Sequence, residues 1–293
     1  MPIAEPTAHE LELLQEEAVR FTRELIRIDT TNYGGNDPDA WGRGETEAAD
    51  HVVALLREVG LDPLVVESHP GRPSVFVRMA GEDRERGGLI IHGHLDVVPA
   101  RAEDWSVDPF AAEIHDGMIY GRGAVDMKDM VAMILSLARH LARTGQKPPR
   151  DLLFAFFADE ENGAVWGAQW MVRNHPELFE GMTEAISEVG GYSITLPEKD
   201  TGTDVRAYLV QTAEKGLGWG RLRATGRAGH GSVPNDENAI VRLARAIAAI
   251  DEHHFPIEYV ASVRALFDGI TEITGIGWDE DDIESFLPLM GGA

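Results

Sequence analysis

Apolar residues recur at alternating steps of three and four through Leu11, Leu14, Ala18, Phe21, Leu25 and Ile28, which predicts an amphipathic helix over residues 10–28. A polar, Gly-rich loop over residues 29–43 follows, beside which a substrate could pass. A second helix is predicted from Thr46, as its cap, to Val59, with Ala49, Val52, Val53 and Leu56 inward and Gly60 as its stop. Residues 64–66 and 75–77 read as short strands. The continuous apolar run Leu89-Ile90-Ile91 reads as a strand buried on both faces. His115-Asp116-Gly117 predicts a hairpin turn between residues 112–114 and 118–120. A helix over residues 127–144 is stopped by Gly145, a second buried strand covers 151–158, and a helix covers 164–174. Ala185-Ile186-Ser187 reads as a third buried strand. Beyond Arg206 the pattern changes. Residues 208–211 and 216–224 read as strands, and 237–250 as a helix with Ile240, Leu243, Ala244, Ile247 and Ile250 inward. The order suits an α/β catalytic domain, a mixed sheet flanked by helices, over residues 1–213 and a second domain over 214–293.

Chemistry-bearing residues stand where these strands end. After Ile91 the chain switches to His92-Gly93-His94-Leu95-Asp96. Residues two apart in extended chain face the same side, so His94 can ligate a metal while Asp96 orients it. Asp126 follows a Gly-rich turn, and the second strand runs into Asp159-Glu160-Glu161. The third delivers Glu188. Ligands in open α/β sheets bind beyond the carboxyl ends of the strands. Each segment alone has an ordinary reading: a strand end entering a polar loop, an N-cap for Asp126, a solvated loop for the three acids. A phosphate loop is excluded at 121–129, where no Walker pattern occurs and Asp126 would repel the anion. No Gly-x-Ser-x-Gly elbow supports a serine mechanism, and no Asp-rich loop supports a structural calcium site.

Composition narrows the classes. The 293 residues carry 50 acidic against 26 basic side chains, a net charge of −24, which argues against nucleic acid and anionic membrane surfaces as partners. There is no cysteine, so a metal site must be built from His and carboxylates, a set that suits Zn, Co or Mn. No basic-then-apolar leader opens the chain and no apolar run approaches the roughly 20 residues of a membrane span. The expected location is the cytoplasm.

Four segments, Gly93-His94-Leu95-Asp96-Val97-Val98-Pro99, Gly121-Arg122-Gly123-Ala124-Val125-Asp126-Met127-Lys128, Ala158-Asp159-Glu160-Glu161 and Gly229-His230-Gly231-Ser232, occur together and in this order. In this the chain resembles the M20 family of metallopeptidases and amidohydrolases, which includes acetylornithine deacetylase, succinyl-diaminopimelate desuccinylase, aminoacylase and the glutamate carboxypeptidase group. The resemblance implies an α/β catalytic domain carrying an inserted α+β lid that forms a homodimer interface. It implies two divalent metal ions, most readily zinc. His94 and Glu188 would bind the first, Asp126 would bridge both, and Glu161 would bind the second. Asp96 would stand behind His94, Glu160 would be the general base, and His230 would reach a neighbouring protomer's site to hold substrate. The implied reaction is hydrolysis of an amide bond in an N-acyl amino acid or small peptide. The competing reading is a catalytically inactive relative that binds metal or peptide.

The family pattern also has a last metal-binding His late in the catalytic domain. Here the only histidines after His230 are His253 and His254, inside the lid region. The expectation is therefore a truncated frame or fragment that binds its second metal weakly, is prone to aggregate and has negligible amidase activity.

Overall fold

The computed structural model describes residues 5–34, 44–188, 193–214, 216, 218 and 220–290. Parts of the predicted 29–43 loop and the residues directly after Glu188 lie outside this set. The chain forms two compact units, 1–188 and 189–293.

The first unit is a five-stranded mixed sheet with helices on both faces, the fold class expected from the sequence. Helix α1 spans Ala8–Ile26. The Thr7 hydroxyl accepts from the Glu10 amide and Glu10 returns a bond to the Thr7 N–H, a capping box that fixes the helix start. Its C-terminal half buries Phe21 and Leu25, whereas Leu11, predicted inward, is exposed. Buried Glu17 is bound by Arg139 at 3.1 Å and Arg143 at 2.8 Å, which ties α1 to α3 (Lys128–Thr144). Helix α2 spans Thr46–Arg57; its N-cap is Glu45, and no side chain caps it, so Thr46 is the first helical residue rather than the cap.

The strands are β1 (Leu64–Glu67), β2 (Pro73–Met79), β3 (Gly88–His94), β6 (Leu152–Phe157) and β7 (Met182–Ile186), in the order β1-β2-β6-β3-β7. A separate hairpin, β4 (Glu113–His115) and β5 (Met118–Tyr120), turns through Asp116 and Gly117, both at positive φ as the primed turn requires. β6 is buried at every position. Leu152, Phe154 and Phe156 face the layer of α1, α2 and α3, while Leu153, Ala155 and Phe157 face Met171 of α4 (Ala168–Asn174), the period of two expected of a strand covered on both sides. α4 begins later than predicted. Residues 160–167 form turns instead, with the Asp159 carboxylate accepting the Trp166 N–H at 2.9 Å. β7 also departs from expectation: residues 183–186 are exposed, and among the described residues it pairs only with β3.

β6, β3 and β7 are mutually parallel, with His94 opposite Phe157 and Ile91 opposite Ile186. Their carboxyl ends therefore open at one edge of the sheet.

The second unit contains a hairpin, β8 (Ser193–Pro197) and β9 (Asp204–Tyr208), and helices α5 (Ala239–Asp251) and α6 (Ala261–Thr274). Leu196, Phe267, Ile270 and Phe286 form its core. The strand predicted at 208–211 lies earlier, because Tyr208 is the last residue paired to β8. The described residues of 216–224 form no strand. Asn238 caps α5 through the amides of Ile240 and Val241, yet Ile240, Ile247 and Ile250, predicted inward, are exposed. Among the described residues no helix is long and apolar enough to cross a membrane.

Candidate metal centre

β3 ends at His94, whose side chain is 2% exposed. The ring is fixed from behind, since Nδ1 lies 2.8 Å from the main-chain oxygen of Asp96. That contact assigns the Nδ1 proton and leaves Nε2 to face the opening. Nε2 lies 3.0 Å from Asp126 Oδ1, 3.2 Å from Glu188 Oε2 and 3.8 Å from Glu160 Oε2. Two sets of ligand atoms come within 4.8 Å of one another: His94 with Asp126 and Glu161, and His94 with Glu160 and Glu188. The structure thus brings together five of the residues singled out in the sequence.

Asp96 is buried and does more than back up His94. Its Oδ1 accepts the Glu160 N–H at 3.0 Å, and its Oδ2 accepts the Glu161 N–H at 3.0 Å and the Asn32 side-chain amide at 2.8 Å. One carboxylate therefore holds both the histidine loop and the acidic loop. Asp126 has a mostly exposed side chain. It does not cap α3, whose N-cap is Met127 with no side-chain bond. The N-cap reading of Asp126 is thereby replaced by its contact with His94. His230 lies in the second unit, exposed, with Nδ1 2.8 Å from Ser232 Oγ.

The electrostatics describe a cluster short of positive charge. Burial would depress the His94 imidazole, but hydrogen bonds to Asp126, Asp96 and Glu188 outweigh it and hold the ring protonated well above its usual range. The His94 hydrogen bond in turn lowers Asp126. Glu160 is raised by burial and by the Glu188, Asp96 and Asp126 charges, against the opposing pull of His94. Glu161 is pushed up to about 7, first by burial and then by Asp126. One imidazolium thus balances a group of carboxylates, two of which resist ionisation. A neutral imidazole with several carboxylates is a donor set suited to a divalent cation, which would displace the Nε2 proton and relieve the raised acids. The residues present fit such an ion.

Sequence reasoning passed over four buried polar residues around this cluster. Asn32, Arg72, Glu45 and Lys128 are all buried. Arg72 forms an ion pair with Glu45 and lies 3.9 Å from Asp159 Oδ1. The Lys128 ammonium donates to the Leu25 and Ile28 carbonyls at 2.9 and 2.8 Å, closing the C-terminal end of α1. Lys128 closes one of the four segments that carry the family resemblance but was given no role of its own there, and nothing in the local pattern of Asn32, Glu45 and Arg72 distinguishes them from surface positions.

Comparison with known proteins places this geometry. The model of peptidase family M20/M25/M40 matches residues 90–174, and that of a peptidase dimerisation domain matches residues 212–283. Aminoacylase-1 of Sus scrofa is 32% identical over 80% of this chain and 53% of its own length. The N-fatty-acyl-amino acid synthase/hydrolase PM20D1 of Xenopus tropicalis is 29% identical over 83% of this chain and 46% of its own length. The chain spans about half the length of these relatives. Among solved structures, the dipeptidase Dug1p of Saccharomyces cerevisiae shares the fold with a TM-score of 0.58 at 16% identity, covering 96% of this chain and 60% of that one. Human carnosine dipeptidase 1 does so with a TM-score of 0.52 at 22% identity, covering 66% and 44%. With both domain models matched, the first across the strand ends that gather His94, Asp126 and the acidic loop, this chain belongs to the M20 peptidase family.

Proposed function

We propose that the centre around His94 is the active site of a metal-dependent hydrolase that cleaves an amide bond of an N-acyl amino acid or small peptide. The observation that carries this reading is the approach of Asp126, Glu188 and Glu160 to His94 Nε2 within 3.0–3.8 Å. His94 and Glu188 would hold one divalent ion, Asp126 would be shared, and Glu161 would hold a second, with zinc the preferred metal and cobalt or manganese able to substitute. When bound, such ions supply Lewis acidity, lowering the pKa of water and polarising a carbonyl. Glu160 takes the proton from the attacking water and returns it to the leaving nitrogen. Burial raises its pKa, which makes it a stronger base than an exposed glutamate and a readier donor once protonated. Asp96 holds the Glu160 and Glu161 backbone so that the base keeps its distance from His94. The substrate class is supported by the names of the relatives, aminoacylase and an acyl-amino-acid hydrolase. The dimerisation model over residues 212–283 supports a homodimer in which His230 serves a neighbouring copy's site.

The second reading is metal binding without turnover. It is favoured by one observation: among the described residues both candidate ligand sets depend on the same histidine.

The test is Glu160→Gln, assayed for amine release from a panel of acyl-amino acids and dipeptides alongside metal analysis. The amide cannot take up a proton at neutral pH, so turnover should fall by about 10²–10⁴-fold with metal content unchanged. Metal lost in step with activity would refute the assignment of the base. A wild-type chain that holds metal and hydrolyses nothing on the panel supports the second reading.

A further inference from the structure

The geometry points to Asn32 as the positioning residue of the acidic loop: its carboxamide couples Asp159 to Asp96 and so holds Glu160 and Glu161 towards His94. The inference rests on the reading that these two glutamates act as base and ligand.

Asn32 lies on the segment after α1, zipped to the chain beyond β3. Its N–H donates to the Val97 carbonyl at 2.8 Å, and the Thr30 hydroxyl donates to the Leu95 carbonyl at 2.7 Å. The main chain is thereby fixed, and only the side chain reaches the site. It is 4% exposed, and all four hydrogen bonds available to a carboxamide are made. Nδ2 donates to Asp96 Oδ2 at 2.8 Å and to Asp159 Oδ1 at 3.0 Å. Oδ1 accepts from Arg72 Nη2 at 3.2 Å and from the Gly34 N–H at 3.0 Å. The two ends of the amide are not interchangeable here, because one faces carboxylate oxygens and the other faces donors.

Asp96 and Asp159 are both fully buried. Two carboxylates sharing one buried space repel, and the amide between them gives each a proton donor without adding a charge. Asp159 also starts the acidic loop at a φ of +60°, a left-handed conformation that aspartate tolerates when its side chain is held by hydrogen bonds. Its side chain is held by Asn32 at one oxygen and by the Trp166 N–H at the other. Removing the amide frees one end of that clamp. It also takes from Asp96 Oδ2 the side-chain donor that helps hold the carboxylate turned toward the Glu160 and Glu161 amides.

The test is residue-resolved hydrogen exchange on the metal-free full chain, comparing wild type, Asn32→Ala and Asn32→Thr. In Asn32→Ala the Glu160 and Glu161 amides should exchange at least about tenfold faster, the scale of weakening a hydrogen bond to a charged group. The β6 amides of Phe154 and Phe156 should keep their wild-type rates. Asn32→Thr, which retains one donor, should fall between, and it carries the comparison if Asn32→Ala does not fold. Equal acceleration at all these amides, or none at Glu160 and Glu161, overturns the proposal. Cobalt titration in parallel should show Asn32→Ala binding about 10–100-fold more weakly, as expected when a ligand's hydrogen-bonded support is removed. A wild-type chain that binds no cobalt would defeat the metal reading, while the exchange rates would still decide the role of Asn32.

Discussion

Replacing Asp96 by Asn tests whether one carboxylate joins the two loops of the site. The substitution is nearly isosteric, so packing is preserved and only charge and proton placement change. An amide has one oxygen to offer where the carboxylate had two: the Glu160 N–H, with His94 Nδ1 at 3.5 Å, lies on one side, and the Glu161 N–H with the Asn32 amide on the other. The better orientation keeps its oxygen toward the pair and turns its NH2 against the Glu160 N–H. One hydrogen bond is lost, a buried donor is left unsatisfied, and the two remaining bonds lose their charge assistance. A bond to a charged partner contributes about 1.5–3 kcal/mol and a stranded buried donor costs about 1–3 kcal/mol. The total should lie near 3–5 kcal/mol, the range found when a buried pair loses one member. Because the chain has two units, the loss should be read from native-state exchange of the β6 amides in the presence of chelator, which reports opening of the first unit alone. A loss below about 1 kcal/mol would mean that the acidic loop is held by other contacts and that Asp96 does not join the loops.

Asp126→Ala should abolish tight metal binding while changing the metal-free stability by less than about 1 kcal/mol, since this exposed carboxylate caps nothing; calorimetry with and without chelator checks both, and equal losses would return Asp126 to a structural role. Metal affinity should rise as pH climbs through about 7, because Glu161 must lose its proton to act as a ligand. The same raised pKa makes its contribution to metal-free stability full below the ordinary value of 4.5 and lost as pH rises through about 7; cobalt titrations and melting curves between pH 5 and 8 should therefore move in opposite directions. Gly167→Ala should destabilise the first unit by more than about 2 kcal/mol, since the new Cβ would sit 1.8 Å from the Ala158 carbonyl oxygen; an unchanged melting temperature would show that the start of α4 can shift away from β6.

The parts of the fold visible in the sequence are those whose signal is local. The fully apolar β6, the Asp116-Gly117 turn and the Gly145 stop of α3 each act within a few residues. The grouping of His94, Glu160, Glu161 and Glu188 could be anticipated because polar residues placed directly after apolar strands converge when the strands are parallel, whereas Asp126 follows a Gly-rich turn after a separate hairpin and was singled out through the four-segment resemblance. What stayed hidden depends on distant partners. Asn32 reads as one polar residue in a Gly-rich loop, and only the approach of Asp96, Asp159 and Arg72 gives it a task. The periodicity of α5 predicted a buried face at Ile240, Ile247 and Ile250, but an amphipathic pattern states that a face is apolar, not that something covers it.

Glu188 stands two residues beyond the end of β7, the strand with one hydrogen-bonded neighbour among the described residues and a largely exposed surface. His94 and the acidic loop, in contrast, are rooted in the interior strands β3 and β6. Opening within a sheet is cheapest at such a margin. A cation shared by His94 and Glu188 would thus be gripped by one rigid and one yielding hand. Its residence time would follow how often β7 peels away, and substitutions along β7 that never touch the ion would change its off-rate while leaving its on-rate alone.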